Sequence, residues 1–321
     1  MLAIVQDHYG GASTLALHDV PRPEIGDEDV LVQVVAAGVD RGAVHFMTGQ
    51  PYLMRLGTGL RAPKARVPGV SFAGRVAAVG PRVTTVAVGD EVYGAGRGAY
   101  AELIATPQGK VAPKPAELSF QEAAVLPYAA FAALQAVREQ ARVQPGESVL
   151  VVGATGAVGS IAVQVAKASG AEVTAVCGPR DQPLAASLGA DSVIDYTRED
   201  FTDGTRRHDV VIDVFGRTPV RRLRRALSPR GRLVIVGGEG DRWVGGVQRQ
   251  LGAMLLSPFL SQSLRVFVAR EDAGTLRQLN DLVAAGTVRP VLGPSYPLAK
   301  APDAVAALQA GSAAGRIVVT V

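Results

Sequence analysis

Val151-Val152-Gly153-Ala154-Thr155-Gly156-Ala157-Val158-Gly159 lies between an apolar run typical of a buried strand, 148–152, and a segment with helical spacing of its apolar residues, 157–168. Glycine permits a tight turn and a close approach of the backbone to a pyrophosphate, and a helix N-terminus offers free N–H groups and a partial positive charge. The strict pattern G-x-G-x-x-G is not met, because Ala154 occupies its first position. The strand before the turn and the helix after it nevertheless predict a dinucleotide-binding loop.

The fold class follows from how strand and helix patterns alternate around this loop. Strand-like runs between 148 and 236 are continuously apolar, which predicts strands buried on both faces of a parallel, doubly wound α/β sheet. Residues 1–115 are β-rich, and the last residues, 315–321, form one more strand pattern. We expect that strand to return to the first domain. The predicted organisation is 1–115, an inserted nucleotide-binding domain 116–265, and a return segment 266–321.

The residues after the second strand of this sheet bear on the choice of nucleotide. An NAD site usually has Asp or Glu about 20 residues after the glycines. Here Cys177-Gly178-Pro179-Arg180 occupies that place, without a carboxylate and with an arginine that can pair with a 2′-phosphate. The sequence therefore favours NADPH, although Asp181 follows directly and an ordinary surface role for Arg180 stays open.

Composition excludes several classes of function. The formal net charge is +4 and the only cysteine is Cys177, so neither an intrachain disulfide nor a thiolate zinc cluster can form. The arginine-rich run 217–232 is predicted to be a solvated helix, because no aromatic platform or nucleic-acid motif accompanies it. Without a signal peptide or a membrane-length apolar run, we expect a soluble, cytoplasmic protein with neither nucleic-acid nor membrane partners.

Short motifs spread over nearly the whole chain resemble the medium-chain dehydrogenase/reductase superfamily. They are Ala36-Ala37-Gly38-Val39, Pro68-Gly69, Ala73-Gly74-Arg75-Val76, Val79-Gly80, Val88-Gly89-Asp90-Glu91-Val92-Tyr93-Gly94, Ala123-Ala124-Val125-Leu126-Pro127, Leu188-Gly189-Ala190-Asp191, Val193-Ile194-Asp195-Tyr196 and Val234-Ile235-Val236-Gly237-Gly238. The resemblance implies a Rossmann domain inserted in a β-rich GroES-like domain.

The chain is most similar to the zinc-free quinone oxidoreductase branch of that superfamily. Where zinc-dependent members have a Cys and a Gly-His-Glu, this chain has Asp40 and Gly69-Val70-Ser71, and the four-cysteine lobe is missing. We therefore expect no metal. Without a Lewis acid alcohol oxidation is disfavoured, whereas reduction of a quinone or an electron-poor C=C needs only a hydride and a proton.

The resemblance also implies roles for individual positions. Thr155 to Val158 would hold the pyrophosphate, Arg180 and Tyr196 would lie near the 2′-phosphate, and Arg316 would reach the cofactor. The full set of predicted cofactor residues is Thr155, Gly156, Ala157, Val158, Gly159, Gly178, Arg180, Tyr196, Phe215, Gly216, Gly237, Phe267, Val268 and Arg316. For Tyr196, Phe215, Phe267 and Val268, plain core packing is an equally open alternative.

Candidates for the reacting site cluster in the first domain. Asp40 could orient His45, and His45 or Tyr52 could donate a proton; a role in shaping the pocket is the alternative for each. Phe46, Tyr128 and Trp243 are predicted to line an apolar substrate pocket.

The chain departs from its relatives in ways that affect this site. Relatives commonly have Thr at Ala132 and an acidic residue at Ser71, so polar contacts are lost at both positions.

Three functions are compatible with the sequence. The first is an NADPH-dependent reductase of quinones or α,β-unsaturated carbonyls. The second is a specialised-metabolite enzyme on the same scaffold with altered chemistry, and the third is a non-catalytic NADPH sensor. We also expect a homodimer that pairs the apolar edge strand 264–269 of two copies.

Overall fold

The computed structural model describes residues 1–238, 241–311, 313 and 315–321. The strands are β1 (Leu2–Val5), β2 (Ala16–Asp19), β3 (Asp29–Gly38), β4 (Ser71–Val79), β5 (Glu91–Ala95), β6 (Leu103–Pro107), β7 (Val111–Pro113), β8 (Ser148–Val152), β9 (Glu172–Cys177), β10 (Ser192–Asp195), β11 (His208–Asp213), β12 (Leu227–Ile235), β13 (Ser263–Val266), β14 (Leu292–Pro297) and β15 (Arg316–Thr320). The α-helices are α1 (Arg41–Thr48), α2 (Arg55–Thr58), α3 (Phe120–Ala124), α4 (Pro127–Leu134), α5 (Ala157–Ala168), α6 (Gln182–Ser187), α7 (Val220–Leu223), α8 (Val247–Leu256), α9 (Ala273–Ala284) and α10 (Ala301–Ala310).

Backbone contacts divide the chain into two compact units. The first unit contains Met1–Phe131 and Glu271–Val321, and the second unit contains Ala132–Arg270. One unit is therefore inserted in the sequence of the other, as the late strand pattern led us to expect. The domain limits 1–115, 116–265 and 266–321 stay a prediction, because a division by contacts does not test functional boundaries.

The second unit is built on a parallel sheet with strand order β10-β9-β8-β11-β12-β13. The first strand lies in the interior and the chain winds outward from it in both directions, which confirms the doubly wound class. Val149, Leu150 and Val151 of β8 are fully buried, as a strand covered on both faces requires.

The first unit is built around β3. Its sheet runs β14-β15-β3-β4-β5-β7, and β6 also pairs with β3. β3 contacts β15 through Ala36–Gly38 and β6 through Asp29–Gln33, so its two halves are completed by different neighbours. Apolar side chains from these strands and from α10 form one core that includes Phe72, Ile104 and Val305.

The structure corrects three predicted elements. Apolar residues at three- and four-residue spacing predict one helix over 120–141, but it is interrupted, because Pro127 starts a new helix, α4, which continues as a π-helix over Gln135–Ala141. Within the arginine-rich run, the sequence predicts a helix over 218–227, but the structure has only α7 followed by a short 3-10 helix, because Leu227 pairs with His208 as the start of β12. The predicted strand 264–269 is Ser263–Val266, because its neighbour β12 ends opposite Val266.

The arginine-rich run 217–232 does not form one solvated helix face, because several of its arginines have polar partners in other segments of the chain. Arg222 pairs with Asp200, Arg224 donates to Gln262, and Arg232 pairs with Glu147. No helix in the described ranges combines the length and the apolar character that a membrane crossing needs.

An ion pair fixes the loops at the carboxyl ends of β11 and β12. Asp213 is fully buried, and Arg249 of α8 forms a salt bridge with it. Arg249 also donates hydrogen bonds to the carbonyls of Thr218, Gly216 and Gly237 at 2.9, 3.2 and 3.4 Å. Burial raises the pKa of Asp213, and Arg249 opposes that rise. One side chain thus satisfies a buried carboxylate and three backbone carbonyls.

Replacing Arg249 by Met should lower the free energy of unfolding of the second unit by about 3–5 kcal/mol, because it leaves a buried charge without a partner. Denaturant titration followed by the fluorescence of Trp243, the only tryptophan and a residue of this unit, measures the change. The control is the double variant Asp213→Asn with Arg249→Met, which should recover part of the loss. A single variant as stable as the parent protein would contradict the assigned role.

Candidate active site

The glycine loop after β8 is held against the end of β9. The backbone N–H groups of Gly153 and Ala154 both donate to the carbonyl of Val176 at 3.1 Å. Gly153 has φ 82°, which favours glycine. A Cβ on Gly159 would collide with the carbonyl oxygen of Gly153, so only glycine lets α5 start this close to the loop.

The loop presents backbone rather than side chains to an incoming anion. Gly156 is the N-cap of α5 and has no side chain that could cover the N–H groups of the first turn. The first regular bond runs from Ser160 N–H to the Gly156 carbonyl at 2.9 Å. A 12-residue helix whose N-cap residue makes no side-chain hydrogen bond attracts phosphate through its dipole and its N–H groups. The local geometry therefore fits a pyrophosphate.

Two exposed polar side chains lie where β9 and β10 end. Arg180 is exposed in a 3-10 turn, Pro179–Asp181, directly after β9. The ring of Tyr196 is 57% exposed, and a Cβ on Gly178 would lie 3.5 Å from its hydroxyl oxygen. The adjacent carboxylate of Asp181 lies 3.3 Å from the hydroxyl of Thr155. Arg180 and Tyr196 therefore flank the same strand end as the glycine loop.

The remaining predicted cofactor residues of the second unit follow β11, β12 and β13. Phe215 is 47% exposed and Val268 is 91% exposed, so neither packs in the core. Gly216 has φ 78°, and a Cβ on it would lie 2.7 Å from the backbone of Gly237. Because the strands are parallel, all these residues lie at one edge of the sheet, where open α/β sheets bind ligands. Phe267 is half-buried just past β13.

In the first unit, Asp40 is the centre of a buried polar cluster. It follows β3 and is the N-cap of α1, accepting a hydrogen bond from Ala43 N–H at 2.8 Å. Ser71 contributes to lowering the pKa of this carboxyl, whose second oxygen is buried without a hydrogen-bond partner. Ser71 is positioned by the sheet, since it pairs with Gly38 across β3 and β4.

The return strand places a cation beside this carboxylate. β15 pairs with β3 in the register Val318 to Gly38, and Val39 N–H donates to the Ile317 carbonyl at 3.0 Å. Continuing that register places Arg316 opposite Asp40, and the two charges interact electrostatically. Burial raises the pKa of Asp40 to about 6, and Arg316 and the hydrogen bonds oppose the rise. Burial also lowers the pKa of Arg316 to about 10.

Two tyrosines close the cluster. The Tyr100 hydroxyl donates to the Gly38 carbonyl at 3.4 Å. Tyr128 packs on the first turn of α1, where a Cβ on Gly42 would lie 2.5 Å from the phenol oxygen, and its N–H donates to the Ser71 hydroxyl at 3.3 Å. Burial raises the pKa of both phenols, and the charge of Asp40 adds to the rise. Both tyrosines are therefore neutral hydrogen-bonding groups near neutral pH.

The other two catalytic candidates lie apart from this cluster. His45 Nδ1 is 2.9 Å from the carbonyl oxygen of Gln50, and Tyr52 stacks on Arg55, whose guanidinium is 4.5 Å from the ring centre. The structure shows no hydrogen bond between Asp40 and His45, because one oxygen of Asp40 accepts from Ala43 N–H and the other has no partner. Their roles as proton donors stay predictions.

The three predicted pocket residues are distributed over both units. Tyr128 joins the Asp40 cluster, and Phe46 lies on α1 with Arg97 stacked 4.9 Å from its ring centre. Trp243 belongs to the second unit, where it is 62% exposed in a turn closed by Asp241. Its part in a pocket therefore stays a prediction.

Sequence reasoning missed Tyr100, Asp213, Arg249 and the role of Ser71. Asp213 could have been found, since a carboxylate at the end of an apolar strand needs a partner. The contacts of Tyr100 and Ser71 depend on strand register, for which the sequence carries no local signal.

Known proteins support this architecture. Residues 26–116 match the family model described as an alcohol dehydrogenase GroES-like domain, and 188–319 match the one described as a zinc-binding dehydrogenase. The chain is 33% identical to 2-methylene-furan-3-one reductase of Solanum lycopersicum, over 97% of this chain and 76% of that protein. The structure of the quinone oxidoreductase from Coxiella burnetii superposes with a TM-score of 0.86 at 28% identity, covering 100% of this chain and 99% of that one. A mycobacterial protein complexed with NADPH superposes with a TM-score of 0.83 at 27% identity, covering 100% of both chains.

The chain belongs to the medium-chain dehydrogenase/reductase superfamily, in its quinone oxidoreductase-like branch.

Membership in this superfamily gives the two units their names. The first is the GroES-like unit and the second is the Rossmann-like unit. The protein is an oxidoreductase that uses a nicotinamide cofactor. The glycine loop and the start of α5 fit the phosphates of such a cofactor, because the backbone there is uncovered and a side chain at Gly159 would close it.

Membership in this superfamily does not by itself mean that this chain has a metal site. Within the described ranges, no three His, Cys, Asp or Glu side chains are grouped so that they could hold a metal ion. At the centre of the GroES-like unit, Asp40 has serine and arginine as its polar neighbours rather than further metal ligands.

The raised pKa of Asp40 predicts a pH-dependent stability. Because its pKa in the folded protein is about 6, above the ordinary 3.8, ionisation of Asp40 destabilises the fold progressively as pH rises from about 4 to about 6. Asp40→Asn removes this cost. Its stability relative to the parent protein should therefore increase by about 3 kcal/mol between pH 4 and pH 7.

Urea titrations of both proteins, followed by far-UV circular dichroism, measure this difference. The control is Asp272→Asn, which makes the same change at the N-cap of α9. A stability difference that does not change with pH would contradict burial of an ionisable carboxyl at Asp40.

Proposed function

We propose that this protein is a zinc-independent, NADPH-dependent reductase of quinones or α,β-unsaturated carbonyl compounds. The observation that carries the proposal is the Asp40 cluster, in which a buried carboxyl with one unpartnered oxygen lies opposite Arg316. A site that reduces a conjugated carbonyl must bind a developing oxyanion and hold a proton, and it needs no Lewis acid. Relatives named as a furanone reductase and as a quinone oxidoreductase support the substrate class.

The preference for NADPH rests on the charges at the end of β9. Arg180 is exposed there and is free to pair with a 2′-phosphate, whereas the Asp181 carboxylate is next to the Thr155 hydroxyl. The carboxylate of Asp195, at the end of β10, accepts hydrogen bonds from the N–H and hydroxyl of Thr197 at 2.9 and 2.7 Å. An NADPH complex of a structural neighbour supports the same choice.

The bound nicotinamide supplies a hydride, and one proton completes the two-electron reduction of an enone to a saturated ketone or of a quinone to a hydroquinone. The residues of the GroES-like unit provide the polar surroundings of the substrate's reacting carbonyl group. Arg316 and the neutral phenol of Tyr128 are the groups that can stabilise an oxyanion. Asp40, with a pKa of about 6, is the group there that can hold and release a proton near neutral pH. The hydrogen bond from Ala43 N–H orients its Oδ1 oxygen.

Cofactor titration followed by a substrate panel tests the proposal. Fluorescence titration should give tight binding of NADPH and weaker binding of NADH, and a panel of small quinones and enones should oxidise NADPH. Activity should be unchanged after dialysis against a chelator. Binding without turnover would favour the specialised-metabolite enzyme or the sensor, and binding of neither nucleotide would refute the proposal.

Replacing Arg180, the arginine after β9, should weaken the binding of NADPH but not the binding of NADH. Arg180→Ala should weaken NADPH binding about 10- to 100-fold, because a charge-assisted hydrogen bond to phosphate contributes about 1.5–3 kcal/mol. NADH binding should stay within about twofold, since it lacks that phosphate. The control is Arg198→Ala, an exposed arginine of the same unit. Equal losses for both nucleotides would contradict a 2′-phosphate contact.

We also propose that the protein is a homodimer joined at β13. This strand is at the edge of its sheet, and the neighbouring segment exposes Leu255 and Phe259 by 73% and 86%. An open strand beside apolar side chains tends to pair with another copy. The cytoplasmic location of the protein also stays a prediction.

Sedimentation velocity at micromolar concentration should give about twice the 33.2 kDa mass of one chain. Phe259→Glu should shift the protein toward monomer by placing a charge in the apolar contact. Leu56→Glu, a change at an exposed leucine of the other unit, should leave it dimeric. A monomeric parent protein would refute the dimer.

A further inference from the structure

A leucine ridge stands on the surface of the GroES-like unit, shortly after α1. It consists of the side chains of Leu53, Leu56 and Leu60, which are 45%, 71% and 69% exposed. Leu53 and Leu56 are three residues apart in consecutive helical turns, so they share one side of the segment, and Leu60 follows the end of α2. Single exposed leucines are ordinary, but three of them so close together indicate a surface that contacts something apolar.

The leucine ridge is held in place by a stacked arginine. The Arg55 guanidinium lies 4.3 Å from the centre of the Tyr9 ring and 4.5 Å from the centre of the Tyr52 ring. It also donates to the carbonyls of Thr48 and Gly49, at the end of α1, at 3.3 and 3.1 Å. The segment is therefore packed on the rest of the unit, and its leucines cannot turn inward without losing these contacts.

The leucine ridge lies in a part of the chain that has no acidic residues. Residues 41–89 contain seven Arg or Lys and no Asp or Glu, whereas the whole chain has a formal net charge of +4. Arg61 and Lys64 directly follow the ridge, are exposed, and form no salt bridge with any described residue. Arg97 is also exposed and lies beside this segment, since it lines one small cavity together with Pro63. The ridge is therefore apolar with a positively charged margin.

A membrane surface fits this combination better than a protein partner does. Exposed apolar side chains can enter the boundary between headgroups and acyl chains, and neighbouring cations attract anionic headgroups. Peptides are commonly recognised by a strand edge or an apolar groove. No strand lies between Pro51 and Val70, and the leucines project into solvent instead of lining a groove. A second copy of this surface would bring like charges together, which opposes self-association there.

We propose that the leucine ridge docks the GroES-like unit on an anionic membrane surface. The leucines enter the interface, and Arg61 and Lys64 pair with lipid phosphates. The inference goes beyond the proposed function and does not depend on it. It revises the expectation of no membrane partner, which rested on the lack of a spanning segment, because docking on a surface needs none. An oxidoreductase docked in this way meets electron acceptors that are dissolved in the bilayer.

Co-sedimentation of the intact protein with vesicles tests the docking without nucleotide or acceptor. Vesicles of phosphatidylcholine with phosphatidylglycerol should bind it at least about tenfold more strongly than phosphatidylcholine alone, because each Lys or Arg near an anionic surface strengthens binding about fivefold. The preference should disappear at about 1 M salt, where charges are screened within about 3 Å. No binding to anionic vesicles would overturn the proposal, and loss of self-association in Leu56→Gln would then assign the ridge to a second copy.

Substitutions separate the apolar contribution of the ridge from the charged one. Leu56→Gln combined with Leu60→Gln should weaken binding to anionic vesicles at least about tenfold, because burial of one leucine contributes about that factor. Arg61→Gln combined with Lys64→Gln should remove most of the preference for phosphatidylglycerol over phosphatidylcholine, since the remaining leucines do not distinguish the two headgroups.

The controls make the same changes elsewhere in the GroES-like unit. Leu17→Gln replaces a leucine of β2 that is 39% exposed, and Arg277→Gln replaces an exposed arginine of α9. Both should bind anionic vesicles as the parent protein does. Ridge variants that bind as tightly as these two controls would contradict docking through the ridge.

Fluorescence measures whether the ridge enters the bilayer. Leu56→Cys labelled with an environment-sensitive dye should emit at shorter wavelength on anionic vesicles, because the dye leaves water, whereas labelled Leu17→Cys should not. The native Cys177 is buried, so the dye reacts with the new thiol. Binding without a shift at position 56 would mean that another surface docks, and it would overturn the proposal.

Discussion

Pairing of β15 with β3 is the constraint on which the GroES-like unit depends. β3 carries β4 along one side, and along the other side β6 and β15 complete its two halves. Without β15, the carboxyl-terminal half of β3 would be an open edge. The same pairing puts Arg316 opposite Asp40, so the interaction that completes the sheet also sets the charges of the candidate site. The pairing of β15 with β3 therefore determines both the sheet of this unit and the charges at its candidate site.

The Rossmann-like unit differs in that its loops present backbone groups to an anion. Parallel strands bring the carboxyl ends of β8, β9, β11 and β12 to one edge, and glycines let the loops there approach one another closely. The loops there would leave carbonyls unsatisfied, and Arg249 binds three of them while neutralising Asp213. The partly buried cation of Arg249 and the exposed cation of Arg180 both suit a phosphorylated ligand.

The sequence was sufficient for the parts of the molecule that local patterns determine. The glycine loop, the alternation of strands and helices, and the return strand each have a signature within a few residues. The relation of Asp40 to Arg316 could not be predicted, because it depends on strand register between residues far apart in the chain. A contact between His45 and Asp40 was expected from their proximity in sequence, but Asp40 accepts from Ala43 N–H and His45 lies against the Gln50 carbonyl. Helix 218–227 failed because a strand ladder competed for Leu227.

The order of synthesis gives the discontinuous GroES-like unit a further consequence. A ribosome releases Ala132–Arg270 before β15 exists, so the inserted unit can fold while its host sheet is still missing a strand. The nucleotide loop is thus complete on a nascent chain whose Asp40 has not yet met Arg316. The loop that fits the cofactor phosphates can therefore form before the proposed reacting site, which is complete only once β15 has been synthesised.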